Sequence, residues 1–227
     1  MDYEKYGQVY RAGKITLINC DCMDLLRDAP GNYWDLSCVD PPYGIGESGG
    51  KLRTKKTRPN SWKSEFKHEK KSWDSNRPDK YYFDEIKRIS KNQIIWGANF
   101  FSDFLPPSSC WIMWDKNIGG DQADGELAYT SFKTAIRLFK GHPFIGTGGG
   151  KERIHPVQKP VVLYKWLLTN YAKPGQRILD THLGSGSSAI AAHYFGCDFV
   201  GCELDTDYYE AAVRRFNDET AQQAMEL

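Results

Sequence analysis

Three clusters of residues in this sequence have types and spacing suited to chemistry, and the first is Asp40-Pro41-Pro42-Tyr43. It follows Trp34-Asp35-Leu36-Ser37-Cys38-Val39, a run with the length and the β-branched and aromatic content of a buried strand. Proline has no N–H, a fixed φ, and a steric effect that drives the preceding residue out of the helical region. Two in succession hold the backbone extended and leave the carbonyls of Asp40 and Pro41 without a ladder partner. The strand end thus presents a carboxylate, unpaired carbonyls and a flat aromatic ring close together. That set suits a planar ring bearing an exocyclic NH₂: the oxygens accept from the amine and Tyr43 stacks on the ring. The plain alternative is a strand followed by a proline-rich turn.

The second cluster, Asp180-Thr181-His182-Leu183-Gly184-Ser185-Gly186-Ser187-Ser188-Ala189, joins a strand to a helix. Gly184-x-Gly186-x-x-Ala189 fits the G-x-G-x-x-G/A fingerprint, and Glu203 ends the next strand, where an acid can bind ribose hydroxyls. The alternative is a tight turn whose glycines serve only φ. A dinucleotide would set its pyrophosphate on the helix N-terminus, where the Asp180 carboxylate repels it. A cationic adenosine ligand suits that carboxylate, and S-adenosylmethionine carries both an ammonium and a sulfonium. A full dinucleotide fold would also need a second mononucleotide half beyond this one. The third cluster, His155-Pro156-Val157-Gln158-Lys159-Pro160, leads into an apolar helix.

The elements that must position these clusters alternate along the chain. Strands are expected at Ile15–Asn19, Trp34–Val39, Gln93–Trp96, Ser109–Trp114, Thr134–Phe139, Arg177–Asp180 and Asp198–Glu203. Helices are expected near Asp24–Arg27, Tyr81–Ser90, Val161–Tyr171, Ser187–Phe195 and Tyr208–Phe216, with Asn117–Gly125 a loop and Asp218–Leu227 fraying. Strands alternating with helices indicate an α/β fold on a parallel sheet. The 227 residues suit a single domain, 1–227, with one insertion. Net charge is only +1, so no partner is named by total charge. Locally, Lys51 to Lys71 holds nine Lys/Arg and two Glu, with Trp62 and Phe66 interleaved and Trp73 just beyond. Cations with aromatics are what a phosphate-tracking, base-stacking loop needs, although such runs are often solvated surface. Within this 44–79 insertion Lys51, Arg53, Lys55, Lys56 and Arg58 are the candidate nucleic-acid contacts. The six cysteines are scattered without a CxxC pair or a histidine cluster, which suggests reduced core thiols and no metal. No apolar run approaches the ~20 residues of a membrane span.

The three clusters, in this order, resemble the signature motifs of the DNA amino-methyltransferases of the permuted β group, in which the catalytic tetrapeptide precedes the cofactor glycines. Asn19–Leu26 is similar to the segment that opens many members. The resemblance implies a Rossmann-like, seven-stranded methyltransferase sheet, mostly parallel with one antiparallel strand, in circularly permuted order. It implies S-adenosylmethionine as methyl donor, leaving S-adenosylhomocysteine, with Asp40, Pro41, Pro42 and Tyr43 catalytic. Asp180, Gly184, Ser185, Gly186 and Ser187 would hold the methionine part with His155, Gln158 and Lys159 close by. Glu203 and Leu204 would lie at the ribose, and Asp21 with Cys22 along the adenine. His182 departs from the family pattern, which usually has proline or a small residue there. Residues 117–153 correspond to a short recognition region, so sequence readout falls to the 44–79 insertion or to a partner subunit, as in a homodimer. The implied function is methyl transfer to the exocyclic amine of a flipped DNA base. Asp at position 40 favours adenine N6 over cytosine N4, and a non-catalytic DNA-binding protein on the same fold is a further alternative. DNA is the expected partner, no membrane is expected, and the expected location is a bacterial or phage-host cytoplasm.

Overall fold

Short runs with two alternating faces build the centre of this protein, seen here in a computed structural model that describes residues 1–46, 71–118, 123–143 and 154–221. The chain enters with β1 (Gln8–Ala12) and β2 (Ile15–Asn19), then α1 (Cys22–Asp28) and β3 (Trp34–Val39). Next come α2 (Lys80–Ile89), β4 (Ser90–Trp96), a 3-10 turn at Ala98–Phe100, β5 (Trp111–Asp115), β6 (Gly125–Thr130) and β7 (Arg137–Lys140). The described chain ends with α3 (Val161–Tyr171), β8 (Arg177–Asp180), α4 (Ser187–Phe195), β9 (Asp198–Glu203) and α5 (Thr206–Ala221).

One sheet holds these strands in the order β1-β2-β9-β8-β3-β4-β6-β5-β7. Its centre, β2-β9-β8-β3-β4-β6-β5, is the expected mostly parallel sheet, in which β6 runs antiparallel to both neighbours. Two edge strands extend it, β1 antiparallel to β2 and β7 parallel to β5. Side chains alternate across the pleat, so Leu36 and Cys38 of β3 face α3, α4 and α5, while Val39 faces α1 and α2. Ile178 and Leu179 of β8 divide between the two faces in the same way. Both faces are covered, as parallel sheets require, and each buried Leu or Ile contributes about 1.5–3 kcal/mol.

Local chemistry fixes the helix starts. The Asp21 side chain accepts from Met23 N at 2.8 Å to cap α1, and Asp79 accepts from Tyr82 N at 3.2 Å to cap α2. Gly196, at φ +82°, closes α4 in the left-handed conformation. Three elements differ from the sequence reading. β1 was not expected, because Gln8–Ala12 is short, lacks a regular alternation and gains its place only beside β2. β6 falls where a loop and a recognition region were expected, so part of 117–153 belongs to the sheet. The last helix begins at Thr206 and runs to Ala221 rather than fraying from Asp218, with Tyr194 OH donating to Glu219 O at 2.6 Å. No helix among the described residues is long and apolar enough to cross a membrane. The six cysteines are unpaired and buried.

Candidate active site

Parallel pairing sets the C-terminal ends of β2, β9, β8, β3 and β4 along one rim of the sheet, the edge at which open α/β sheets bind ligands. β3 and β8 are direct neighbours, with Leu36 opposite Ile178 and Ser37 opposite Leu179. The proline corner after β3 and the glycine turn after β8 therefore lie side by side, although some 140 residues separate them. Both open onto one cavity of about 1110 Å³. Small-molecule sites span ~300–1,000 Å³, so this one has room for a cofactor and a further planar group.

At the corner, Tyr43 OH donates to Asp40 Oδ1 at 2.7 Å, and the ring stacks on Phe100 with centroids 5.1 Å apart. Gly97, just after β4, has φ +67°, and a Cβ there would lie 2.1 Å from the Tyr43 ring. Only glycine leaves that ring its place. Lys159 Nζ donates to Asp40 Oδ2 and lies 3.0 Å from Glu126 Oε2, with its side chain almost wholly buried. Glu126 Oε1 pairs in turn with Lys116 at 2.5 Å. Burial raises the Asp40 carboxyl and Lys159 opposes it, leaving it above the ordinary value. Burial also pushes Glu126 up, but Lys159 and Lys116 outweigh it and hold that carboxyl at about 2. The Lys159 ammonium, disfavoured by burial, is held above its usual value by Asp40 and Glu126.

At the glycine turn, Glu203 Oε2 accepts from Gly184 N at 2.8 Å and Oε1 accepts from Asp205 N at 3.0 Å. Burial raises this carboxyl as well. Arg215 of α5 donates to Ser185 O and to Ser187 Oγ, both at 2.9 Å, and Ser187 Oγ donates to Lys159 O at 2.7 Å. Gly186, at φ +76°, lies close to Ala212 of α5. Trp73, His155 and Tyr208 form an aromatic wall, with His155 5.1 Å from Trp73 and 4.5 Å from Tyr208 between ring centroids. Lys71 pairs with Asp205 at 2.6 Å and Asp207 at 2.7 Å beside that wall.

Most of the residues expected at the site line the cavity: Asp40 to Tyr43 at one end, then Gln158, Lys159, His155 and the turn residues Gly184, Ser185 and Ser187, with Glu203, Leu204, Asp21 and Cys22 at the other end. Two do not. Gly186 packs on α5, and Asp180 is buried beneath the turn, where its Oδ2 accepts from Ser188 Oγ at 2.6 Å and Oδ1 from His182 N at 3.1 Å. Asp180 thus supports the turn rather than meeting a ligand directly, and burial raises its carboxyl to about 7. Lys159 reaches both motifs, its ammonium donating to Asp40 and its carbonyl accepting from Ser187 Oγ at the glycine turn. His182 is pushed down to about 4 by burial and is neutral at pH 7, with Nδ1 2.9 Å from Thr181 Oγ1. Lys51, Arg53, Lys55, Lys56 and Arg58 lie outside the described residues. Glu126, Gly97 and Arg215 were missed, and only Gly97, ending a strand before a polar turn, carried a local signal.

The donor set favours a cationic adenosine ligand over a dinucleotide. A pyrophosphate at α4 would face the Glu203 carboxylate, which already occupies the Gly184 N–H. The acids Asp21, Glu203 and Asp205 line the same end of the cavity. Among the described residues no group of His, Cys, Asp and Glu could hold a metal ion.

Comparison with known proteins agrees with this geometry. Residues 109–214 match the N6_N4_Mtase family, a DNA methylase family. A putative methylase of Escherichia coli K12, YubD, is 26% identical over 222 residues, covering 87% of this chain and 88% of that protein. The type II methyltransferase M.HinfI of Haemophilus influenzae is 26% identical over 253 residues, covering 89% of this chain and 68% of that protein. By fold, the M1.HpyAVI–SAM complex matches with TM-score 0.57 at 17% identity, covering 89% of this chain and 99% of that one. The cytosine-N4-specific PvuII DNA methyltransferase matches with TM-score 0.61 at 12% identity, covering 93% and 87%. With its three motifs meeting at one rim of this sheet, the chain is similar over most of its length to DNA methyltransferases, and its residues 109–214 match the N6/N4 DNA methylase family.

Proposed function

We propose that this protein transfers the methyl group of S-adenosylmethionine to the exocyclic amine of a base flipped out of duplex DNA, adenine N6 in preference to cytosine N4. The observation that carries this reading is the single cavity shared by the Asp40–Tyr43 corner and the Gly184–Ser187 turn. When bound, S-adenosylmethionine supplies an electrophilic methyl on a sulfonium. Glu203 and Leu204 would hold its ribose, Asp21 and Cys22 its adenine, and Gly184 to Ser187 with His155 and Gln158 its methionine end.

An exocyclic amine is a poor nucleophile because its lone pair is delocalised into the ring. Asp40 accepting one N–H and the Pro41 carbonyl accepting the other favour a pyramidal nitrogen, whose lone pair is freed to form the new N–C bond. As the N–C bond formed, the S–C electron pair would leave with the sulfur of S-adenosylhomocysteine, and the proton lost by the amine would pass along its hydrogen bond to Asp40 and on to solvent. Tyr43, backed by Phe100, offers the flipped base its stacking surface. Holding the two reactants in alignment can supply on the order of 7–11 kcal/mol of the barrier. No covalent intermediate is needed, and none of the cysteines has the Pro-Cys context of a cytosine C5 nucleophile.

The preference for adenine rests on aspartate at position 40. The fold does not choose, since the PvuII enzyme on a similar fold is a cytosine-N4 methyltransferase. Unmethylated DNA treated with the protein and labelled cofactor, digested to nucleosides and weighed by mass spectrometry, should yield N6-methyladenine. N4-methylcytosine would overturn the base assignment, and Asp40→Asn turning over normally would overturn the mechanism.

A further inference from the structure

Lys159, from the third cluster, and Glu126, from a strand outside all three, extend the catalytic corner. Lys159 Nζ lies between two carboxylates, donating to Asp40 Oδ2 and standing 3.0 Å from Glu126 Oε2. Its ammonium lies over the rings of Trp96 and Tyr43, with centroids 5.4 and 5.8 Å away, and Ser187 holds its carbonyl. A cation so desolvated needs a partner at every stage of the reaction. Asp40 Oδ1 is taken by Tyr43 OH and Oδ2 by Lys159, so an incoming amine meets a carboxylate whose charge is already neutralised. A carboxylate has about four acceptor positions, so the amine can be added. It binds well only if the ammonium gives up part of its hold. Glu126, from the antiparallel strand β6, is already placed to receive it.

We infer that Lys159 and Glu126 are positioning residues for the target amine: Lys159 orients the ionised Asp40 carboxylate, and Glu126 draws the ammonium aside when the amine engages Asp40. This rests on Asp40 as the amine acceptor. The other groups facing Asp40 are Tyr43, Cys38 of its own strand, Asp180 of β8, Tyr82 of α2 and Tyr164 of α3. Burial and the Glu126 charge raise the Asp40 carboxyl while Lys159 lowers it, so the two partners have opposite signs.

The experiment is the pH profile of kcat for methyl transfer from tritiated S-adenosylmethionine to unmethylated mixed-sequence duplex DNA. Lys159→Gln should move the acid limb up by about 1–3 pH units, with activity recovering as pH rises. Glu126→Gln should move that limb down and lower the plateau by roughly tenfold, with KM for DNA little changed, because the undivided ammonium stays on Asp40. Limbs that stay in place, or that move in the same direction, would overturn the inference. A purely structural role would not separate the two variants by sign. Glu126→Gln is nearly isosteric, so if Lys159→Gln fails to fold, the Glu126 limb decides alone. Asp40→Asn run alongside keeps the two readings apart. Normal turnover there removes the Asp40 assignment and this inference with it, whereas an inactive Asp40→Asn with unmoved limbs removes the inference alone.

Discussion

Gly97→Ala tests the corner without touching a catalytic group. Its Cβ would stand 2.1 Å from Cε1 and 2.5 Å from Cδ1 and Cζ of Tyr43, far inside any tolerated approach. The backbone there is left-handed at φ +67°, which costs an L-residue about 1–2 kcal/mol. Displacing the ring adds about 1–3 kcal/mol of overpacking, for a total of about 2–5 kcal/mol. Since the ring carries the hydroxyl that donates to Asp40 at 2.7 Å, turnover should fall with stability while cofactor affinity is retained. Urea unfolding of Gly97→Ala, Tyr43→Ala and the double variant separates the two effects. With the ring truncated, the alanine should cost only its backbone share, giving a coupling of about 1–3 kcal/mol. A coupling within the ~0.3–0.5 kcal/mol scatter of independent sites would refute the reasoning, as would normal turnover in Gly97→Ala.

Three further outcomes follow, two from the same rim and one from the basic run in the sequence. The folded protein keeps a proton on Asp180 up to about pH 7, whereas an unfolded chain releases it near 3.8, so Asp180 makes stability fall as pH rises through that window. Between about pH 5 and about pH 7 the decrease amounts to about 2–3 kcal/mol, and Asp180→Asn should abolish it when urea midpoints are compared at both pH values. Arg215→Ala should weaken the glycine turn by about 1–3 kcal/mol and lower the affinity for S-adenosylhomocysteine measured by calorimetry; unchanged affinity would show that the turn needs no support from α5. Neutralising Lys55, Lys56 and Arg58 together should lower DNA affinity and flatten its dependence on salt, by a slope of up to about 0.9 for each phosphate no longer neutralised.

Contiguous parts of this site were legible in the sequence. Asp40–Tyr43 follows an apolar strand, and Gly184–Ser187 lies between a strand and a helix, so local pattern located both. What could not be read depends on pairing between distant segments. Glu126 sits in Gly-Glu-Leu-Ala-Tyr-Thr, whose position between β4 and β5 follows from no local signal. Arg215 looks like an ordinary charge on an amphipathic helix until α5 meets the glycine turn. Asp180 is plainly the end of a strand in the sequence, yet its side chain points under the turn because Ser188 and His182 N satisfy it there. β1 was hidden for a related reason, since Gln8–Ala12 is a short edge strand, at most half-buried, that gains its place by pairing with β2.

The adjacency of β3 and β8 has a mechanical consequence. The Asp40–Tyr43 corner and the Gly184–Ser187 turn are mounted on two hydrogen-bonded ribbons of one sheet, whose spacing is about 4.8 Å. Any change in that spacing would have to come from segments beyond the strand ends, so a ligand meets a platform that is already set.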